Sequence, residues 1–363
     1  MSRADPVTVA ADTGRAILAG KSEFAAALVE LEFDRHPELE QRYGPIGHEK
    51  SLQDAGYHLA YLANALVFDS PMLFVDYIAW ARLMLAQRGV LPADLAFHLE
   101  CTRDVLAERL QEDQASCAGR FVTRALEAMP DMPDDLPSYV RHDDPLAPLA
   151  HHYLQTLLRG ERRLASEMVL GTVEEGSSVR DVYLQIFQPA LYEIGRLWQI
   201  NEISVAQEHY CTAATQLIMS QLYPLLFAGE RRGPTLVMTS VAGDLHEIGA
   251  RMVADFFEMD GWNTFYTGAN TPHESVIRTL AERDANVLGI SATITSNVGA
   301  VAALIAAVRD HPACREMKIL VGGNPFNLAG DLWQRVDADG SGRDAQQAIT
   351  VAGELLAGRD ART

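Results

Sequence analysis

The sequence predicts a multidomain protein: an all-helical N-terminal domain, a four-helix bundle and a C-terminal α/β domain with a parallel sheet. Three observations predict it. Residues 10–128 carry apolar side chains at helical spacing almost throughout. A Pro- and Asp-rich stretch, Met129-Pro130-Asp131-Met132-Pro133-Asp134-Asp135-Leu136-Pro137, then breaks the pattern. From Leu236 onward, short apolar β-branched runs alternate with amphipathic helical segments, the pattern of a parallel sheet with helical crossovers.

In the N-terminal domain, Leu52, Ala55, Leu59, Leu62, Ala63 and Leu66 line one face of a helix that begins near Glu49. Met72–Gln87 and Ala93–Leu110 are further helices, each preceded by a proline, Pro71 and Pro92, placed to open it. The linker spans residues 129–146 and includes a second loose patch, Asp143-Asp144-Pro145. Residues 147–230 are helical again. A short helix near Pro145–Ala150, one over His151–Gly171, one over Ser178–Gln199 that Pro189 must kink or restart, and one over Ser204–Leu226 with Ser204 as N-cap would make a bundle. A further break is expected at Gly229–Pro234, and the α/β domain occupies residues 233–358.

The length, 363 residues, suits two or three domains, and a hydrophobic content of 48% is ample for their cores. The formal net charge of −19 repels phosphate backbones and argues against direct nucleic-acid binding. No apolar run is long enough to span a membrane, and the N-terminus lacks the apolar core of a signal peptide. Cys101, Cys117, Cys211 and Cys314 are scattered and form no zinc spacing. Reduced thiols and a cytoplasmic location are expected.

The strand Leu236–Val241 runs into Asp244-Leu245-His246-Glu247-Ile248-Gly249, of the form Asp-x-His-x-x-Gly, before a helix from Ala250 to Met259. A loop histidine can bind a metal, an aspartate two residues earlier can hold its other ring nitrogen, and a glycine lets a bulky ligand approach the backbone. Asn286–Ile290 reads as a buried strand followed by Ser291-Ala292-Thr293, and Lys318–Val321 as another followed by Gly322-Gly323. All three features fall at strand C-termini, where open α/β sheets bind ligands.

This set resembles the cobalamin-binding domain of methionine-synthase-like and mutase-like proteins, from about Gly233 to the C-terminus. The resemblance implies a Rossmann-like or flavodoxin-like fold and cobalamin bound with its own base displaced, His246 being the lower cobalt ligand. It also implies that Ser291 and Thr293 make room for the nucleotide tail, Thr293 standing where the family has Leu, and that Gly322 and Gly323 lie against the cofactor. The helical bundle before such a domain caps the upper face of the corrin.

Trp198 and, ten and eleven positions later, Glu208-His209 resemble the Trp-x9-Glu-His motif of adenosylcobalamin photoreceptors related to light-dependent repressors. The resemblance implies that Trp198 covers the adenosyl group and that Glu208 accepts its hydrogen bonds. Where the repressor branch has a second histidine, this chain has Gln199, a poor cobalt ligand, which leaves water or His209 for the light product.

The N-terminal domain carries no basic recognition helix, and residues 10–128 are too few for the substrate barrel of mutases, which needs about 250. It is rich in flat side chains, among them Tyr43, His48, Tyr57, His58, Tyr61, Phe68, Phe74, Tyr77, Trp80, Phe97 and His98. These read either as a helical core with an amphipathic rim or as a pocket for a second planar chromophore, with His58, Tyr61, Tyr77, Trp80 and His98 as its candidates. A helical domain of this size is compatible with a globin-like arrangement. The whole layout looks like the photocobilins, photoreceptors holding cobalamin and biliverdin. The resemblance implies a non-enzymatic light sensor in which loss of the adenosyl group shifts the bundle and changes self-association, with a non-covalent bilin as second pigment. A haem, with His58 or His98 as ligand, is the lesser expectation. The alternatives are a corrinoid protein that carries methyl groups for a methyltransferase, and a cobalamin sensor indifferent to light.

Overall fold

The computed structural model describes residues 6–141, 144–226 and 233–360. The first helices are α1 (Pro6–Ala19), α2 (Lys21–Arg35), α3 (Glu38–Val67), α4 (Pro71–Ala86), α5 (Pro92–Arg109) and α6 (Glu112–Ala128). Pro71 and Pro92 open α4 and α5 as expected, where a missing N–H costs nothing. Helix α3 begins well before Glu49 and kinks at Gly44, whose φ of 67° leaves the helical region ahead of Pro45. Ala55, Leu59, Leu62, Ala63 and Leu66 are buried, but Leu52 is 40% exposed, because the face of α3 enters the core only from Ala55.

The bundle consists of α7 (Ala147–Leu158), α8 (Arg162–Glu174), α9 (Val179–Val182), α10 (Gln188–Gln199) and α11 (Val205–Leu222). The expected single helix over His151–Gly171 is two. Gly160, at φ 79°, closes α7, with its N–H on Leu157 O and the N–H of Glu161 on Thr156 O. The short helix expected near Pro145 is the first turn of α7. Pro189 restarts the next helix as α10, and a π turn, Tyr183–Phe187, absorbs the break ahead of it. Ser204 caps α11 in a capping box with Gln207. Asp143 and most of the expected break at Gly229–Pro234 lie outside the described residues.

The α/β region runs β1 (Thr235–Ser240), α12 (Ile248–Met259), β2 (Asn263–Tyr266), α13 (His273–Glu282), β3 (Val287–Ser291), α14 (Val298–Asp310), β4 (Lys318–Gly322), α15 (Asn324–Leu328), α16 (Leu332–Arg335), β5 (Gly340–Ser341) and α17 (Ala345–Asp360). The last helix continues to Asp360. The strands are all parallel in the order β2-β1-β3-β4-β5, the flavodoxin-like arrangement, whose switch point lies between β1 and β3.

The chain forms two compact units that cut across the sequence domains. One contains residues 1–133, 293–302 and 324–336; the other contains 134–292, 303–323 and 337–363. In the first, Arg335 donates to the carbonyls of Phe68 (2.6 Å) and Asp69 (2.8 Å), closing the C-terminal end of α3. In the second, Tyr153, Tyr183 and Phe187 fill the bundle core. Tyr183 donates to Asp255 of α12 at 2.8 Å, which joins the bundle to the sheet's helical layer. Burial pushes the Asp255 carboxyl up to about 6, against the opposing bond from Tyr183.

Candidate functional site

The strand register sets the site. Ser240 pairs with Ser291, and Ser291 with Gly322, so three strand ends align at the C-terminal edge of the sheet. The loop from β1 to α12 rises there. Asp244 is fully buried, and its Oδ1 accepts from both the backbone N–H (3.0 Å) and the Nδ1 (2.9 Å) of His246. That pair fixes the proton on Nδ1 and turns Nε2, an unshared lone pair, away from the carboxylate. The His246 side chain is 59% exposed. Its pKa is raised, first by the bond to Asp244 and then by the charges of Asp244 and Glu208, with burial opposing.

Other groups brace the loop. Asn270 accepts from Gly243 N at 2.9 Å, and Ser240 Oγ donates to His246 O at 3.4 Å. Glu247 accepts from Gln216 of α11 and from Tyr266 of β2. Sequence reading missed Asn270, Gln216, Glu247 and Tyr266, because each meets the loop from another element or occupies an unspecified place in the motif. Leu245 is strongly exposed. A Cβ built at Gly249 meets nothing within 4 Å, which leaves open space beside the backbone. At Gly322 it would come within 3.1 Å of Gly342 O, and at Gly323, with φ 109°, within 1.9 Å of Ala292 O. The packing of two loops therefore requires a glycine at 323 in its own right. Ser291 is half-buried, and Thr293, exposed, belongs to the other compact unit.

Trp198 ends α10, half-buried against the bundle core. Glu208 and His209 lie in the first turns of α11, joined to each other by a hydrogen bond, and Glu208 also accepts from Thr212 at 3.0 Å. His209 is exposed, whereas Gln199 is buried and so is not presented as a ligand. The bond from Gln216 to Glu247 places α11 beside the loop.

The helical unit brings all five of its candidates together. His58 Nδ1 and Tyr77 OH are 2.8 Å apart, and the rings of His58 and His98 are 5.0 Å apart, edge to face. Tyr61 stacks on Tyr77 at 3.6 Å, and Trp80 lies nearly parallel at 6.2 Å from Tyr77. Glu32, which the sequence did not single out, bonds His98 Nδ1 at 3.1 Å. His98 Nε2 is buried without a partner. Burial holds His58 well below the usual histidine range and raises Tyr77. Among the described residues, no group of three or more His, Cys, Asp and Glu side chains is placed to hold a metal by itself. The four cysteines are buried and free, and no described helix is long and apolar enough to cross a membrane.

The chain is similar to known cobalamin-binding proteins. Residues 234–350 match the family model described as B12 binding domain, and residues 149–223 match a second model of the same description. A corrinoid protein of Desulfitobacterium hafniense is 23% identical over 208 residues, covering 56% of this chain and 94% of the relative. Dimethylamine corrinoid protein 3 of Methanosarcina acetivorans is 27% identical over 167 residues, 46% of this chain and 75% of the relative. In structure, the monomethylamine corrinoid protein of Methanosarcina barkeri covers 56% of this chain and 96% of its own length, with a TM-score of 0.51 at 19% identity, a likeness of fold. Through the helical bundle and the parallel α/β domain that follows it, this chain carries the paired B12-binding domains of the cobalamin-binding family.

Proposed function

We propose that the chain holds cobalamin with His246 Nε2 as the lower cobalt ligand and works through changes at the upper ligand. The Asp244–His246 pair carries this reading. A buried carboxylate fixes one ring nitrogen while the ring itself stays accessible, the arrangement that orients metal-bound histidines. Bound there, cobalamin supplies a cobalt centre with an exchangeable methyl or adenosyl group. Asp244 keeps the Nδ1 proton in place, so Nε2 remains the donor atom. The open space beside Gly249 and the small side chain of Ser291 admit a bulky ligand at the strand ends. Glu208 offers a carboxylate to polar groups above, and Trp198 an apolar face.

Two readings of the upper ligand remain. The relatives named as dimethylamine corrinoid proteins support a methyl carrier that serves a methyltransferase and is not itself catalytic. One observation favours light sensing with adenosylcobalamin: the cluster of buried His58, Tyr77 and His98 with half-buried Tyr61 and Trp80. Its stacked rings and the unpartnered Nε2 of His98 suit a planar tetrapyrrole, biliverdin foremost, which a methyl carrier does not need. A haem would use the same nitrogen. In this reading light changes the self-association of the protein.

The deciding experiment loads the protein with adenosylcobalamin and biliverdin and compares absorption and size-exclusion elution in the dark and after green light. Light-dependent loss of the adenosyl spectrum with a change in elution and retention of biliverdin establishes the sensor. A photolysed cofactor with unchanged elution and no bilin retained refutes light sensing and returns the chain to the methyl carrier or the light-indifferent cobalamin sensor, since cobalamin alone is light-sensitive. Failure to retain any cobalamin refutes both.

A further inference from the structure

Helix α11 presents a polar stripe at four-residue spacing, Glu208, Thr212, Gln216 and Ser220, and helical geometry puts these residues on one face. Two members of the stripe bond to two residues four apart at the start of the next domain's first helix. Gln216 Nε2 donates to Glu247 Oε1 at 2.6 Å, and Arg251 donates to Ser220 Oγ at 3.1 Å. Glu247 is held from the other side as well. Tyr266 OH at the end of β2 lies 3.1 Å from its backbone carbonyl and 3.3 Å from its Oε2. One residue further back stands His246, and at the far end of the stripe stands Glu208, whose charge His246 feels.

We propose that Glu247 is a positioning residue for His246, tying the ligand loop to the bundle helix through Gln216 and to the sheet through Tyr266. The proposal rests on the cobalamin reading and adds to it a residue of the motif's unspecified positions. The physical argument concerns stiffness. An exposed imidazole on a loop has two free side-chain torsions and a mobile backbone. The Asp244 bond restrains the ring, but only relative to a backbone that must itself be held. Glu247 supplies that anchor at the adjacent residue, through a bond to an ionised acceptor, the stronger class of hydrogen bond. Because Gln216 and Glu208 share one helix, the same contact ties the loop of His246 to the helix that carries Glu208.

The test uses the full chain with hydroxocobalamin at one fixed pH, reading the dissociation constant and the absorption signature that separates histidine-ligated from unligated cobalt. Outer partners of metal-bound histidines typically contribute 10–100-fold in affinity, so Glu247→Ala is expected to weaken binding about 10-fold and to raise the unligated fraction. Glu247→Gln keeps an oxygen for Gln216 and the carbonyl for Tyr266, and should restore most of the ligated spectrum. Gln216→Ala, on a surface helix, should shift the spectrum in the same direction as Glu247→Ala even if the latter folds poorly, which thermal melts of the cofactor-free proteins will show. Wild-type spectra for Glu247→Ala or Gln216→Ala overturn the proposal, as does a loss that Glu247→Gln does not rescue. The cobalamin reading fails separately: in that case the wild-type protein binds no hydroxocobalamin, or His246→Ala leaves its spectrum unchanged.

Discussion

The two compact units treat histidine in opposite ways. In the α/β unit, His246 stands largely in solvent and its partner Asp244 is fully buried. In the helical unit, His58 and His98 are buried, and so is the carboxylate of Glu32 that one of them meets. The electrostatic outcome differs accordingly. The bond to Asp244 raises His246, whereas burial lowers His58. An exposed histidine whose other nitrogen is held by a buried acid keeps one nitrogen open to the surroundings. A buried histidine cluster is instead a packed network, in which each unpartnered nitrogen is costly.

The largest expected effect is His246→Ala. It should weaken cobalamin binding by about 100-fold or more and abolish the histidine-ligated spectrum, while thermal stability falls only modestly because buried Asp244 keeps the backbone N–H of residue 246. A large drop in melting temperature would remove the contrast between the two sites. His98→Ala should do the reverse. It leaves Glu32 buried without its partner and should cost about 3 kcal/mol in urea denaturation, with cobalamin affinity unchanged. Biliverdin retention should also be lost, and retention by this variant would move the pigment site elsewhere.

Next in size are two pH effects of opposite sign. Asp255, raised to about 6 from an ordinary 3.8, contributes stability that is complete below the ordinary value and disappears as pH rises through about 6. The gap corresponds to roughly 3 kcal/mol at most. Asp255→Asn should therefore be more stable than wild type at pH 7.5 and lose that advantage by pH 4, as thermal melts across the range will show. His58 is lowered well below its ordinary 6.5, so its contribution is complete above that value and is lost as pH falls from it toward the depressed one. His58→Gln should flatten the acid limb of the stability profile. The smallest effect is Arg335→Ala, which uncaps α3 where Phe68 and Asp69 present free carbonyls. It should cost about 0.5–1 kcal/mol and leave cobalamin binding intact.

What was legible in the sequence was local. Asp244 and His246 are two residues apart, and a strand-to-helix loop brings their side chains together whatever surrounds it, so the motif specified the exposed histidine and the buried acid that holds it. Ser204 and Gln207 made their capping box for the same reason, and Pro71, Pro92 and Pro189 opened helices because a missing N–H is tolerated only there. The alternation of strands and helices was enough for a parallel sheet. Tertiary structure decided the rest. Glu32 meets His98, Gln216 meets Glu247 and Tyr183 meets Asp255 across long stretches of chain, and no periodicity encodes which polar residue of one helix faces which of another. The aromatic and histidine residues of the helical domain suited a core or a pocket equally well in sequence; only packing showed five of them in one cluster with a buried nitrogen unpaired. At Gly323 the close approach of the Ala292 backbone, invisible in sequence, by itself demands a glycine. The physical reason is range. Backbone geometry and capping act within a turn of chain, whereas burial, pKa and partner choice depend on what the fold brings alongside.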